Sequence, residues 1–180
     1  MARIRKFCAY RRLERPYTRI SKYREKSYIR VTPNPKIVKF NTGSLNKEFT
    51  YKVHLISKQD LNIRDNALES ARQCGNRLLE KKVGLANFAL HVRIYPHHVL
   101  RENPLAAGAG ADRLSTGMSH SFGKPIGIAA RVKKGQEVIT VDTEKQYIDH
   151  VKIALKRAAS KLPLAYRLVI VEESNKGKKK

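Results

Sequence analysis

The chain reads as an α+β protein: a two-layer sandwich of a mixed β-sheet with two main helices, carrying an extended basic N-terminal arm and a long Gly-rich loop. Three observations predict this. Apolar residues alternate with period 2 in short segments near both ends and in the middle of the chain. Two longer segments switch to three- and four-residue spacing. Between residues 37 and 172, leaving out one irregular stretch, about 110 residues remain, enough to close a single core.

Taken in order, residues 1–36 hold neither period and are interrupted by Pro16, Pro33 and Pro35. They predict an arm that stays extended or irregular until a partner orders it. Residues 37–172 form the domain. Residues 37–40 read as a short strand closed by a turn at Asn41-Thr42-Gly43, and 49–56 as a second strand with Phe49, Tyr51, Val53 and Leu55 on one face. From about residue 64 to 82, Ala67/Leu68, Ala71, Cys74/Gly75 and Leu78/Leu79 trace one helical face. Cys74 reads as a small buried hydrophobe there, and Gly75 as a place where the sheet approaches closely. Gly84 is the expected C′ residue, because it takes positive φ without a Cβ clash. Residues 88–94 alternate as a third strand, stopped by Pro96. Residues 126–132 and 137–141, joined by Lys133-Lys134-Gly135-Gln136, read as a hairpin. Thr143 with Gln146 reads as a capping box opening a helix to about Lys161, whose buried face is Ile148, Val151, Leu155, Ala158 and Leu162. Pro163 ends it, 166–171 supplies a last strand, and 173–180 is a basic tail.

Function is written first in charge. The 180 residues carry 38 Lys+Arg against 15 Asp+Glu, a net +23. Such an excess repels itself and is tolerable when a polyanion supplies the missing negative charge. Solubility alone needs only roughly 2–8 net charges. No run approaches the roughly 20 apolar residues of a membrane span, and the first residues lack the apolar segment of a secretory leader. Cys8 and Cys74 form no CxxC pair and no disulfide framework, which points to a reducing cytosol.

Residues 1–30 concentrate the charge, with eleven cations against Glu14 and Glu25. Arg outnumbers Lys eight to three, and Tyr10, Tyr17, Tyr23 and Tyr28 are interleaved. Guanidinium forks match phosphate oxygens and tyrosine rings stack on unpaired bases. The candidate RNA contacts are Arg3, Arg5, Lys6, Tyr10, Arg11, Arg12, Arg15, Tyr17, Arg19, Lys22, Tyr23 and Arg24.

The irregular stretch 102–125 is longer than a compact domain ordinarily tolerates, so a functional loop is expected. Six of the ten glycines fall between Gly108 and Gly135, and Arg101, Arg113, Lys124 and Arg131 surround it with positive charge. Small residues let backbone approach a crowded ligand surface, which suits a nucleic-acid groove. Rival chemistry is weaker. Gly108-Ala109-Gly110-Ala111-Asp112 begins like a dinucleotide fingerprint, but Arg113 replaces the third glycine and the strand-before, helix-after setting is missing. His91, His97, His98 and His120 have no Cys or carboxylate partners at ligand spacing, so no metal and no cofactor is expected. Ser115, His97 and Asp112 assemble a triad only on paper.

At this loop the sequence resembles the family of large-subunit ribosomal proteins called L-ten-e in archaea and eukaryotes and L-sixteen in bacteria. The resemblance is carried by Tyr95-Pro96-His97-His98-Val99-Leu100-Arg101-Glu102-Asn103, Ala109-Gly110-Ala111-Asp112-Arg113-Leu114, Thr116-Gly117-Met118, and Phe122-Gly123-Lys124-Pro125. Cys8-Ala9-Tyr10-Arg11, Arg15-Pro16-Tyr17-Thr18 and Pro33-Asn34-Pro35-Lys36-Ile37 resemble the archaeal branch. The resemblance implies a hammerhead-type α+β sandwich in the cytoplasm, within the large ribosomal subunit. It implies partners: large-subunit rRNA near the aminoacyl-tRNA site, tRNA at the aminoacyl and peptidyl sites, and other large-subunit proteins, without catalysis. It places Arg101, Gly108, Gly110, Asp112, Arg113, Thr116, Gly117, Met118 and Lys124 on a loop directed toward tRNA and the peptidyl transferase centre. Pro104 and Ser119 stand where the family usually has basic residues, so loop contacts are expected to rest on Arg113, backbone N–H groups and shape. The rivals are an RNA-processing enzyme using His97, His98 or His120, and a free nucleic-acid chaperone with many RNA partners.

Overall fold

A computed structural model describes residues 4–17, 22–27, 29, 31–103, 117–163 and 165–172. Eight strands and two α-helices are described: β1 Asn41–Gly43, β2 Tyr51–Ser57, β3 Leu61–Arg64, α1 Asp65–Lys82, β4 Phe88–Val92, β5 His98–Glu102, β6 Lys124–Val132, β7 Glu137–Thr143, α2 Ile148–Ala159 and β8 Tyr166–Glu172. The α+β sandwich is observed. Its sheet component is two antiparallel sheets rather than one mixed sheet: five strands in the order β1-β4-β7-β2-β8, and three in the order β3-β6-β5.

Helix α1 forms where the apolar spacing places it, and Gly84 follows with φ +85°. Its face packs on α2 and on β3, β4 and β6. Gly75 is the close contact: a Cβ there would lie 3.5 Å from Ala158 Cβ and 3.8 Å from Leu90 Cδ1, so it admits the second helix as well as the sheet. Cys74, expected buried, is half-buried beside it. Phe88, Leu55, Leu61, Ile63, Leu68, Leu79, Ile139 and Leu155 fill the core, each worth about 1.5–3 kcal/mol of burial.

Three local expectations are corrected. Residues 37–40 are not a strand; the ladder falls on Asn41–Gly43, the residues read as the turn. The reason lies on α1. Backbone N–H groups of Lys36 and Val38 donate to the carboxylates of Asp65 and Glu69, at 3.1 and 3.4 Å, instead of to a neighbouring strand. Glu69 is held for this by a buried bidentate pair with Arg72, at 2.6 and 2.9 Å, which lowers its pKa below the usual carboxylate range.

Strands β6 and β7 are not a hairpin, because they belong to different sheets. Their connection turns against the end of β2, with Ser57 N–H donating to Gln136 O and Gly135 N–H to Ser57 O. Runs of consecutive buried residues on both strands (Ile128, Ala129 and Ala130; Val138, Ile139, Thr140 and Val141) fit strands covered on two faces. The capping box does not form either. Thr143 is fully buried as the last residue of β7 and donates to Asn87 O at 3.3 Å. A 3₁₀ turn, Lys145–Tyr147, precedes α2.

Candidate nucleic-acid interface

Residues 4–17 are docked against the three-stranded sheet, through side chains that face inward. Phe7–Tyr10 makes a 3₁₀ turn. Tyr10 is buried with Leu100 and Ala129, and Ile29 with Val99 and Ile128. Asn62 of β3, 3% exposed, donates its amide to Tyr10 O at 2.9 Å and Arg12 O at 2.7 Å. Asn62 N–H faces Arg11 O at 3.4 Å, and Val99 N–H donates to Tyr17 O at 3.0 Å. These bonds supply partners to arm carbonyls and N–H groups that would otherwise be buried unmade.

A polar knot ties the arm to the end of β5. Glu102 Oε1 accepts from Arg5 Nε at 2.6 Å and from the Tyr10 hydroxyl at 2.7 Å. Burial raises the Tyr10 pKa, and the hydrogen bond to Glu102 raises that of Arg5. A second knot joins the arm to the root of the loop. The Arg101 guanidinium lies 3.9 Å from the Tyr17 ring centroid and 3.8 Å from that of Phe122, and donates to Phe122 O at 2.6 Å. The two rings meet edge-to-face, 83° apart with centroids 5.6 Å from each other, and the guanidinium sits in the corner they form, attracted by both quadrupoles. His98 completes the knot: Tyr17 N–H donates to its Nδ1 at 3.0 Å. Burial, reinforced by Arg131, His97 and Arg101, pushes the His98 pKa down to about 4, so the ring is neutral and accepts at neutral pH.

The loop root is equally specified. The β5–β6 ladder runs out to Glu102↔Lys124. Asn103 Nδ2 donates to Gly117 O at 3.0 Å, closing the mouth of the loop. Gly123 has φ +77°, and a Cβ there would sit 2.5 Å from the Glu102 carbonyl carbon. Gly117 has φ +58° and open space around it, and Met118 is exposed beside it.

The expected site residues therefore divide. Lys6, Arg11, Arg12, Arg15, Lys22, Tyr23 and Arg24 are exposed along the arm. Tyr10 is buried against Leu100 and Ala129, and Tyr17, half-buried, carries the Arg101 guanidinium on its ring, so both also anchor the arm. Arg5 is exposed but paired. Arg101 and Lys124 flank the loop, with Gly117 and Met118 at its return. Arg3, Arg19, Gly108, Gly110, Asp112, Arg113, Thr116 and Pro104, and the 173–180 tail, lie outside the described residues. Ser119 is exposed in the 3₁₀ turn Gly117–His120. Sequence reasoning missed Asn62, which carries no local signal, and Glu102 and Phe122, whose partners are far away in the chain. Among the described residues no group of three or more His, Cys, Asp or Glu is placed to hold a metal. No described helix is long and apolar enough to cross a membrane.

Comparison with known proteins gives this surface its setting. The model of the family described as ribosomal protein L16p/L10e matches residues 15–169. Curated relatives named large ribosomal subunit protein uL16 are similar over most of the chain. That of Methanococcus aeolicus is 48% identical over 162 residues, 89% of this chain and 90% of its own. That of Staphylothermus marinus is 50% identical over 154 residues, covering 86% and 85%. The Archaeoglobus fulgidus protein is 42% identical over 161 residues, 89% of each.

Proposed function

Since this chain belongs to the L16p/L10e family of ribosomal proteins and is a structural constituent of the large ribosomal subunit, we propose that its arm binds rRNA while its long loop borders the aminoacyl-tRNA site. That setting is cytoplasmic and brings rRNA and other ribosomal proteins as partners. Lys6, Arg11, Arg12, Arg15, Lys22 and Arg24 neutralise phosphates, and Tyr23 stacks on an unpaired base. Gly117, Met118 and the segment 104–116, with Arg101 and Lys124 at its roots, reach toward the tRNA acceptor end. The chain acts as a scaffold and not as a catalyst: His98, the buried histidine of the enzymatic rival, is occupied as an acceptor in a structural bond. Residues 1–36 work as the rRNA-binding arm, 37–172 as the domain, and 173–180 as a basic tail.

One observation carries this reading. Arg101 joins Tyr17 of the arm to Phe122 of the loop, so an rRNA-bound arm fixes the direction in which the loop leaves the sheet. The test is reconstitution of large-subunit particles with the full chain and with a K6E/R11E/R12E variant, whose three side chains are exposed. The wild-type chain co-sediments and leaves only at high salt, its log affinity falling by about 0.7–0.9 per phosphate contact per decade of salt. The variant stays in the supernatant. A variant that incorporates with the same salt dependence overturns the reading.

A further inference from the structure

Neither the arm nor the loop uses the surface between the two helices. Helices α1 and α2 run antiparallel, with the C-terminal end of α1 beside the start of α2, where Asn87 Nδ2 meets the Tyr147 hydroxyl at 3.4 Å. Small residues draw them together: a Cβ on Gly75 would lie 3.5 Å from Ala158 Cβ. The longer side chains flanking that contact stand up as two banks, with an open groove of about 820 Å³ between them. Its floor is apolar: Cys74 and Leu78, both half-buried, and Ile153, 47% exposed. Cys74 and Leu78 lie one position round α1 from the buried Gly75 and Leu79, so they carry the core-facing stripe out onto the surface. Its banks are basic, with Arg77, Lys81 and Lys82 on one side and Arg157 and Lys161 on the other, and no carboxylate lines it. The acidic side chains of the same helices are engaged elsewhere: Glu69 with Arg72, Glu80 with Asn76, Asp149 with Lys152. Among the described residues none of the five cations is held in an ion pair.

Floor and banks together define the occupant. A phosphate backbone would meet the banks but leave the apolar floor uncovered, and the groove presents no Phe or Tyr ring on which a base could stack. An amphipathic helix satisfies both: apolar residues at i, i+4 and i+7 seat on the floor, and carboxylates beside them reach the banks. The α1 bank, from residue 70 to 82, extends about 18 Å at 1.5 Å per residue, the length of about three helical turns.

We infer that this groove docks an acidic amphipathic helix of a partner protein, its apolar stripe on Cys74, Leu78 and Ile153 and its carboxylates on the five cations. The inference uses none of the arm or loop contacts, so the proposed function stands whichever way it is decided.

Fluorescence anisotropy with the purified full chain and a synthetic peptide tests it. The probe is an end-capped helix of about 16 residues with Leu at i, i+4 and i+7 and Glu on both flanks. Its control has the same composition with the leucines scattered round the helix. The patterned peptide is expected to bind about tenfold more tightly than the control, or better. I153E removes the apolar seat and R157E/K161E one bank, and each is expected to weaken binding by about tenfold. K133E/K134E, an equal change of charge on the exposed connection between β6 and β7, leaves it unchanged. A carbodiimide, which joins amines directly to carboxylates, is expected to couple the peptide to Lys81, Lys82 or Lys161. Equal affinity of the two peptides overturns the inference, and so does equal weakening by K133E/K134E and R157E/K161E, since either shows charge attraction alone. Wild-type affinity in I153E at wild-type thermal stability overturns it as well. Ultraviolet RNA adducts on peptides spanning 70–82 and 150–161 of isolated large subunits would assign the groove to RNA instead.

Discussion

Replacing Asn62 by alanine tests how the arm is presented. The Asn62 amide donates to two arm carbonyls, Tyr10 O and Arg12 O, from a position 3% exposed. Each such bond contributes about 0.5–1.5 kcal/mol net, so N62A costs the docked arm about 1–3 kcal/mol. The cost falls on docking, not on the core, because both carbonyls find water once the arm lifts. In populations it is about a 5- to 150-fold rise in the undocked state. Hydrogen exchange reads this at two reporter amides, Val99, bonded to Tyr17 O, and Arg5, bonded to the Tyr10 hydroxyl. Both are expected to exchange faster by that factor, while amides of β2, paired on both sides in the five-stranded sheet, keep their protection. RNA affinity falls with them, since Arg11 and Arg12 lose their fixed geometry. Unchanged exchange at Val99 and Arg5, or equal acceleration across β2, refutes the idea of a separately docked arm.

Three further outcomes follow from the same geometry. His98 takes up its proton near pH 6.5 in the unfolded chain and only near pH 4 in the folded one, so its contribution is complete above pH 6.5 and is lost as pH falls toward 4. Protonation also removes the acceptor for Tyr17 N–H, so an NMR titration should show the His98 ring and the Tyr17 amide shifting together near pH 4; titration at 6.5 with a silent Tyr17 amide would contradict this. R101K is expected to behave almost like R101A, because a compact ammonium cannot reach both rings of the edge-to-face Tyr17–Phe122 corner and the Phe122 carbonyl at once, and each ring contact is worth about 0.5–1 kcal/mol; a Phe122 ring environment unchanged in R101K would count against that contact. G123A forces a Cβ onto the Glu102 carbonyl at positive φ and is expected to cost on the order of 1–3 kcal/mol, read as lower thermal stability and a disturbed Glu102↔Lys124 end of the ladder; wild-type stability would show that the root relaxes freely.

What could be read from sequence was local. The α1 face, Gly84 after it, β2, β4 and the stop at Pro163 follow from spacing and backbone chemistry within a few residues. β1 and β3 are not legible in the sequence because three or four residues carry no period, and β5 is not because His98, Val99 and Leu100 are buried in succession rather than alternately. Adjacency in sequence suggests a β6–β7 hairpin, yet adjacency cannot show that each strand finds its partners in a different sheet. At the candidate interface the cations were visible as composition. Their presentation was not, because Asn62 meets the arm about fifty residues away and Glu102 more than ninety. The tyrosines illustrate this: beside arginines they suggest base stacking, and only the packed sheet shows that Tyr10 is buried on it and that Tyr17 also holds Arg101.

A density map of the intact large subunit from the source organism tests the central claim most directly. The account predicts Arg11, Arg12 and Arg15 within hydrogen-bonding distance of rRNA phosphates, with Tyr10 still turned onto Glu102 and the loop leaving Arg101 toward the tRNA acceptor end. A map in which the arm faces solvent, or in which the loop points away from the tRNA cleft, would contradict it.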